Sequence, residues 1–158
     1  MSPRTLVLIR HAKSDWSAGV GDAERPLAPR GRRQAPAIGQ WLAAHDVVPD
    51  LAVCSTATRA RQTWELVLGA LGHEVPTTPD AAAYTFDGDV LLEVLRRHAE
   101  EHGTVALIGH NPAMEEAIRA LTGQWLPMPT SALAVLDLPD GWWSDHATVR
   151  YAGRPADD

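Results

Sequence analysis

Residues 5–10, Thr-Leu-Val-Leu-Ile-Arg, form a short apolar run that sets Arg10 directly beside His11. A guanidinium is always charged and grips phosphate through two parallel hydrogen bonds, and a neutral imidazole can attack phosphorus. Two later segments offer matching groups. One is Cys54-Ser-Thr-Ala-Thr-Arg59-Ala-Arg-Gln-Thr63, and the other is Ile108-Gly-His110-Asn111-Pro112. Transfer of a phosphoryl group asks mainly for positioning and for positive charge around its oxygens. Two arginines and two histidines at the ends of apolar runs suit that chemistry.

Elements of the right kind surround these groups. Short β-branched apolar runs alternate with longer amphipathic stretches, the pattern of strands covered by helices on both faces. Strands are expected over 5–10, 51–55, 104–108, 132–138 and 148–151, with a brief edge strand near 75–77. Helices are expected over 30–45, 58–71, 89–101 and from Pro112 to about Leu121. Ala60, Trp64, Val67 and Leu71 fall at helical spacing, and Gly72 follows as a stop. Residues 11–29 read as a long loop broken by Gly19, Gly21, Pro26 and Pro29. The fold class implied is α/β, a three-layer α/β/α sandwich on a mostly parallel sheet. Ligands in such folds bind beyond the carboxyl ends of the strands.

With 158 residues, 45% of them hydrophobic and 22% charged, the chain suits one domain over residues 1–150. Residues 151–158 carry no periodicity and are expected to form a flexible tail. The formal charge of −6, from 20 acids against 14 lysines and arginines, argues against nucleic-acid binding. No apolar run is long enough to cross a bilayer and no signal-peptide pattern opens the chain. One cysteine, Cys54, rules out an internal disulfide framework and fits a cytoplasmic setting.

The motifs resemble the histidine phosphatase superfamily, also called phosphoglycerate mutase-like, and most closely its small SixA-type phosphohistidine phosphatase branch. The matching pieces are Arg10-His11-Ala12-Lys13-Ser14, Arg25-Pro-Leu-Ala-Pro-Arg-Gly31, Ser55 to Thr63, and Gly109-His110-Asn111-Pro112, in the family's order. By this resemblance His11 accepts the phosphoryl group, and Arg10, Arg59 and His110 complete its pocket. Lys13, Ser14, Arg25 and Asn111 are the candidates for further substrate contacts. Asn111 is also a natural helix N-cap. The implied reaction needs no cofactor and no metal.

One departure carries chemical weight. Many family members place an acid in the middle segment to protonate the leaving group. Here that segment is Asp80-Ala-Ala-Ala-Tyr84-Thr-Phe-Asp87-Gly-Asp89, and alanine holds the position before Tyr84. Asp80, Asp87 and Asp89 remain as possible donors. An alkoxide needs a proton to leave far more than an imidazole does, whose pKa is about 6.5. Phosphohistidine on a protein is therefore the expected substrate. A small phosphomonoester such as a sugar phosphate or nucleotide is the alternative, and a phosphate-binding module without turnover is the rival from another class.

Other chemistries fit the residues less well. A cysteine phosphatase needs five residues between its Cys and Arg, which from Cys54 falls on Ala60. His98 and His102 have the spacing of a helical metal pair, but they close a helix of solvated charges. Arg61 lies about 200° round the helix from Arg59 and should face solvent. Trp142 and Trp143 read as packing residues or an exposed contact patch.

Overall fold

The computed structural model describes residues 2–158. Six strands form one sheet: β1 (Arg4–Arg10), β2 (Leu51–Cys54), β3 (Thr77–Pro79), β4 (Thr104–Gly109), β5 (Leu133–Leu138) and β6 (Thr148–Gly153). Four helices accompany them: α1 (Pro29–Ala44), α2 (Thr58–Leu71), α3 (Gly88–Ala99) and α4 (Ala113–Thr122). The strand order is β3-β2-β4-β1-β5-β6, parallel from β3 through β1, with only β5 running against the rest. The fold is thus the mixed, mostly parallel α/β/α sandwich that the alternation of runs predicts.

Strand side chains alternate between faces, which splits the core in two. Leu6, Leu8, Val53, Val105 and Leu107 pack with Leu91, Leu95, Met114 and Ile118 of α3 and α4. Val7, Ile9, Ala52, Ala106 and Ile108 face Ile38, Leu42, Trp64 and Val67 of α1 and α2. Both faces being covered explains why β1 and β4 read as continuous apolar runs. Gly72 and Gly123 end α2 and α4 with φ of 76° and 77°, conformations that suit glycine.

Register positions the chemistry. β1 pairs with β4 so that Arg10 lies opposite Gly109, and β2 pairs with β4 so that Cys54 lies opposite Ile108. The residues that come after these strands, His11, Ser55 and His110, therefore emerge in one row at one edge of the sheet. Backbone bonds from His11 N to Gly109 O (3.0 Å) and from Ser55 N to Ile108 O (3.0 Å) carry that alignment past the strand ends.

Two expectations change. The expected tail at 151–158 is not frayed: residues 151–153 complete β6, and Pro155–Asp157 form a 3-10 turn with Pro155 buried. The Tyr151 ring lies tilted against Trp41 of α1, centroids 4.5 Å apart, and Arg154 Nε donates to Thr130 O at 2.9 Å. An edge strand with few apolar positions leaves little periodicity to read. The two neighbouring tryptophans separate: Trp142 is buried and donates to His102 O (3.0 Å), while Trp143 is 65% exposed.

Helices α1 and α2 cross at a glycine. A Cβ on Gly39 would sit 2.2 Å from Val67 O and 2.9 Å from the Ala70 Cβ, so the helices would have to part. Gly69 of α2 has open space around its Cα. In urea denaturation, Gly39→Ala should cost about 1–3 kcal/mol through overpacking. Gly69→Ala should instead gain up to about 1 kcal/mol from helix propensity. Equal effects of the same sign would contradict the close crossing.

Candidate active site

The sequence after β1 turns sharply, and α2 braces the turn. Thr63 Oγ1 accepts from Ala12 N (2.9 Å) and donates to Arg59 O (2.7 Å), tying the residue after His11 to the first turn of α2. Lys13 O would lie 2.3 Å from a Cβ at Gly31, so the start of α1 must approach closely. These contacts fix His11 against a cavity of about 260 Å³ whose lining includes Arg10, Arg59 and His110. The four residues from three separate motifs are brought together.

The orientation of His11 is set by its hydrogen bonds. Its Nδ1 lies 2.8 Å from Ala12 O, a pure acceptor, so Nδ1 carries the proton and Nε2 keeps its lone pair. Arg59 Nε points at that Nε2 from 3.4 Å. Burial first, and then the charges of Arg59, Arg10 and Arg25, push the imidazole pKa down to about 4 despite the Ala12 bond. His11 is therefore a neutral imidazole at pH 7.

His110 lies beside it, with ring centroids 5.2 Å apart. Arg59 NH2 lies 3.4 Å from its Nδ1, and arginine only donates, so Nδ1 is the acceptor. Its Nε2–H then donates to Ser55 Oγ at 2.8 Å. Burial, the neighbouring His11 and Arg59 lower its pKa to about 3. In the free site His110 is thus uncharged.

The basic residues differ in what they hold. Arg59 is 2% exposed and spends its donors on the two rings, on Asp22 O (NH1, 2.8 Å) and on Asp22 Oδ2 (NH2, 3.2 Å). Arg10 NH1 donates to Met128 O (3.0 Å), and its Nε is buried with no partner among the described residues. Arg25 lines the cavity, yet its guanidinium is committed to Ser14 Oγ (2.6 Å), Asp22 Oδ1 (3.1 Å) and the face of Trp16 (3.5 Å). Ser14 thereby serves Arg25. Lys13 is exposed at the rim, and Arg61 faces solvent.

Asn111 lines the cavity but does not cap α4, where Pro112 takes the N-cap place. Capping needs an acceptor oxygen. The Asn111 side chain instead turns its Nδ2 to Glu115 Oε2 (2.7 Å) and Met128 O (2.7 Å). Its Oδ1 is buried with no partner among the described residues.

None of the three expected proton-donor candidates lines the cavity. Asp80 accepts from Ala82 N, Arg97 and His98, which lower its pKa to about 2, the His98 bond contributing most. Asp87 caps α3 through Asp89 N and Val90 N, and Asp89 is exposed in the first turn of that helix. The middle segment supplies aromatics instead: Tyr84 stacks on His110 at 4.9 Å and Phe86 meets it edge-on at 5.7 Å. His98 lies 2.7 Å from Asp80 and His102 3.4 Å from Asp50, in separate places. Cys54 is buried on β2, and burial pushes its thiol up to about 12, so it is no nucleophile.

Sequence reasoning missed Asp22. It sits in a 3-10 turn (Asp22–Glu24), lines the cavity, and joins Arg25, Arg59 and the Tyr84 hydroxyl. The Tyr84 hydrogen bond most of all, with the Arg59 charge, lowers its pKa to about 2. The only signal was an acid three residues before Arg25 inside a loop.

The two depressed imidazoles link stability to pH. Unfolded, each takes a proton near 6.5; folded, His11 does so near 4 and His110 near 3. Between pH 6.5 and about 4 the unfolded chain therefore binds more protons, and stability must fall as pH falls. From pH 7 to 5 the loss should be of the order of 2 kcal/mol per imidazole. Urea titrations of the wild type and His110→Gln should show a shallower decline in the variant. Parallel declines would mean that His110 is not held neutral.

Comparison with known proteins agrees with this geometry. The profile of the histidine phosphatase superfamily (branch 1) matches residues 6–84. An uncharacterized Mycobacterium tuberculosis protein is 35% identical over 148 residues, spanning 87% of this chain and 90% of its own. A 2,3-bisphosphoglycerate-dependent phosphoglycerate mutase of Beijerinckia indica is 41% identical over 83 residues, covering 50% of this chain and 40% of that enzyme. Among solved structures, one from Agrobacterium tumefaciens assigned as a phosphohistidine phosphatase SixA superposes with a TM-score of 0.84. It has 30% identity and covers 97% of this chain and 99% of its own. One from Nakamurella multipartitia with the same assignment gives 0.86, with 29% identity and 98% of both chains. With its motifs at the matching strand ends, this chain belongs to the histidine phosphatase superfamily.

Proposed function

We propose that this protein is a metal-independent phosphatase that works through a phosphohistidine on His11 and acts on phosphohistidine carried by proteins. The observation that carries this reading is a neutral His11, its Nδ1–H held by Ala12 O, whose unprotonated Nε2 faces Arg59 Nε across a long 3.4 Å contact. Such a ring is a competent nucleophile without a separate base.

The reaction proceeds in two displacements. His11 Nε2 forms a bond to phosphorus while the bond from phosphorus to the leaving group breaks, its electron pair departing with that group. Arg10 and Arg59 stabilise charge on the phosphoryl oxygens. The arriving dianion also favours protonation of His110 at Nδ1, turning that ring into a further donor. Water then attacks phosphorus, the bond to Nε2 breaks, and His11 returns to its neutral form with release of inorganic phosphate.

Two features favour a protein-borne phosphohistidine over a free metabolite. No middle-segment carboxylate reaches the cavity, so groups that leave without strong acid assistance are preferred. The cavity of about 260 Å³ is also small against the roughly 300–1,000 Å³ common for enclosed ligand sites. It accommodates a phosphoryl group presented end-on from a larger surface. The assigned names of the Agrobacterium and Nakamurella neighbours point the same way.

The test is to incubate the protein, with chelator present, with a phosphohistidine-bearing protein and separately with a panel of phosphomonoesters. Release from phosphohistidine should dominate and His11→Ala should reduce it to background. Arg59→Ala should lower kcat/KM by about 10³ or more, the scale on which a phosphate-stabilising arginine acts. A preference for monoesters would move the substrate to metabolites. Turnover that survives in His11→Ala would overturn the covalent route.

A further inference from the structure

With phosphohistidine as substrate, the reading on which this assignment rests, two imidazoles stand on either side of one phosphorus. On the enzyme's side the distal ring proton has a dedicated acceptor, because His11 Nδ1 faces Ala12 O at 2.8 Å. That acceptor keeps the ring protonated at Nδ1 when Nε2 takes the phosphoryl group. The substrate ring has the same requirement in reverse. It leaves as neutral imidazole when its distal nitrogen holds a proton, and as a far poorer imidazolate when it does not.

We infer that Asp22 accepts the distal N–H of the substrate's imidazole, and so sets the enzyme's preference for phosphohistidine over phosphate esters. Asp22 is the acid that sequence reasoning overlooked, and among the described residues it is the one carboxylate lining the cavity that contains His11. Its side chain is half exposed, with a relative accessibility of 49%. A carboxylate offers roughly four acceptor positions. Three are filled, by Arg25 Nε on Oδ1 and by Arg59 NH2 and the Tyr84 hydroxyl on Oδ2, which leaves one position open on Oδ1.

Its placement is fixed on several sides. Arg25, which holds Oδ1, is itself held by Ser14 Oγ (2.6 Å) and covered by the Trp16 ring at 3.5 Å. Arg59, which holds Oδ2, is the same group that faces His11 Nε2. Asp22 and the nucleophile therefore sit on different arms of one buried guanidinium.

The exchange then balances without a proton donor. A substrate ring bearing phosphate on one nitrogen and a proton on the other meets His11 in the same condition less the phosphate. Nε2 bonds to phosphorus, the phosphorus–nitrogen bond of the substrate breaks, and its electron pair returns to that ring. The ring leaves neutral with its distal proton still on Asp22's side, and His11 carries the phosphoryl group with its own distal proton still on Ala12 O. No proton crosses the site.

The experiment compares phosphoimidazole with p-nitrophenyl phosphate as substrates of the wild type, Asp22→Asn and Asp22→Glu. Loss of one hydrogen bond to a charged group corresponds to about a ten- to hundredfold change. The ratio of kcat/KM for phosphoimidazole to that for p-nitrophenyl phosphate should fall by that factor in Asp22→Asn and recover in part in Asp22→Glu. If Asp22 serves only to hold Arg59 and Arg25, both substrates lose rate together and the assignment fails. If its charge merely repels phosphate, both gain and the assignment fails equally. A measurement on the wild type alone stands should the variants not fold: 1-methyl-3-phosphoimidazolium lacks the distal N–H and should be the poorer substrate relative to its spontaneous hydrolysis. Equal enhancement of the two rings would overturn the proposal. Should the wild type hydrolyse neither phosphoimidazole nor a phosphohistidine-bearing protein, the failure belongs to the substrate reading itself.

Discussion

The Arg59 guanidinium is the group on which the remainder of the site depends. It is buried and still charged, a state that costs several kcal/mol unless its donors are matched. Its matches are His11 Nε2, His110 Nδ1 and two oxygens of Asp22. Each bond also orders its partner. Arg59 demands a lone pair from both rings, so it forces His11 and His110 into neutral tautomers whose other nitrogens donate to Ala12 O and Ser55 Oγ. The first turn of α2, held by Thr63 and aligned by the β2–β4 register, places that guanidinium.

The same field keeps His110 a neutral ring in the free site. In isolation a histidine near phosphate invites a positive charge. Here two neighbouring guanidinium groups, the adjacent ring and burial all oppose it. On the proposed reading, a phosphoryl dianion would oppose that field and favour protonation of the ring. An imidazole suits this role because its ordinary pKa lies close enough to neutrality to be moved either way.

Much of this arrangement was legible in the chain because strand ends are sequence-local. Leu6–Arg10 and Val105–Gly109 show their burial through unbroken apolar runs, and the residues after each run must emerge at the same sheet edge. The α2 boundaries were equally plain, from Thr58 to the glycine stop at 72. Asp22 was not legible, since it comes from a loop whose path is set by pairing of Ser14 with Leu27 and by Gln62 accepting from Leu27 N. Contacts between distant loops leave no period in sequence. The last strand was understated for a related reason: β6 lies at the sheet edge and alternates between exposed and half-buried residues.

Donors without partners are spread unevenly across the site, and on the proposed reading that unevenness bears on where the phosphoryl group is received. Arg59 and Arg25 share the carboxylate of Asp22, so on that side of the cavity most donors of two guanidinium groups already have partners. Arg10, on the other side, touches only a backbone carbonyl through NH1, and its Nε has no protein partner among the described residues. Glu115 attracts Arg10 through space, but its carboxylate is spent on Asn111 and on Met128 N. Those bonds fix the carbonyl of Met128, and through it the angle at which Arg10 enters the cavity. An anion therefore finds its unmatched donors on the Arg10 side. On the reading proposed above, the Asp22 side, whose donors are mostly taken, is left to the group that departs, where the carboxylate can meet a ring proton.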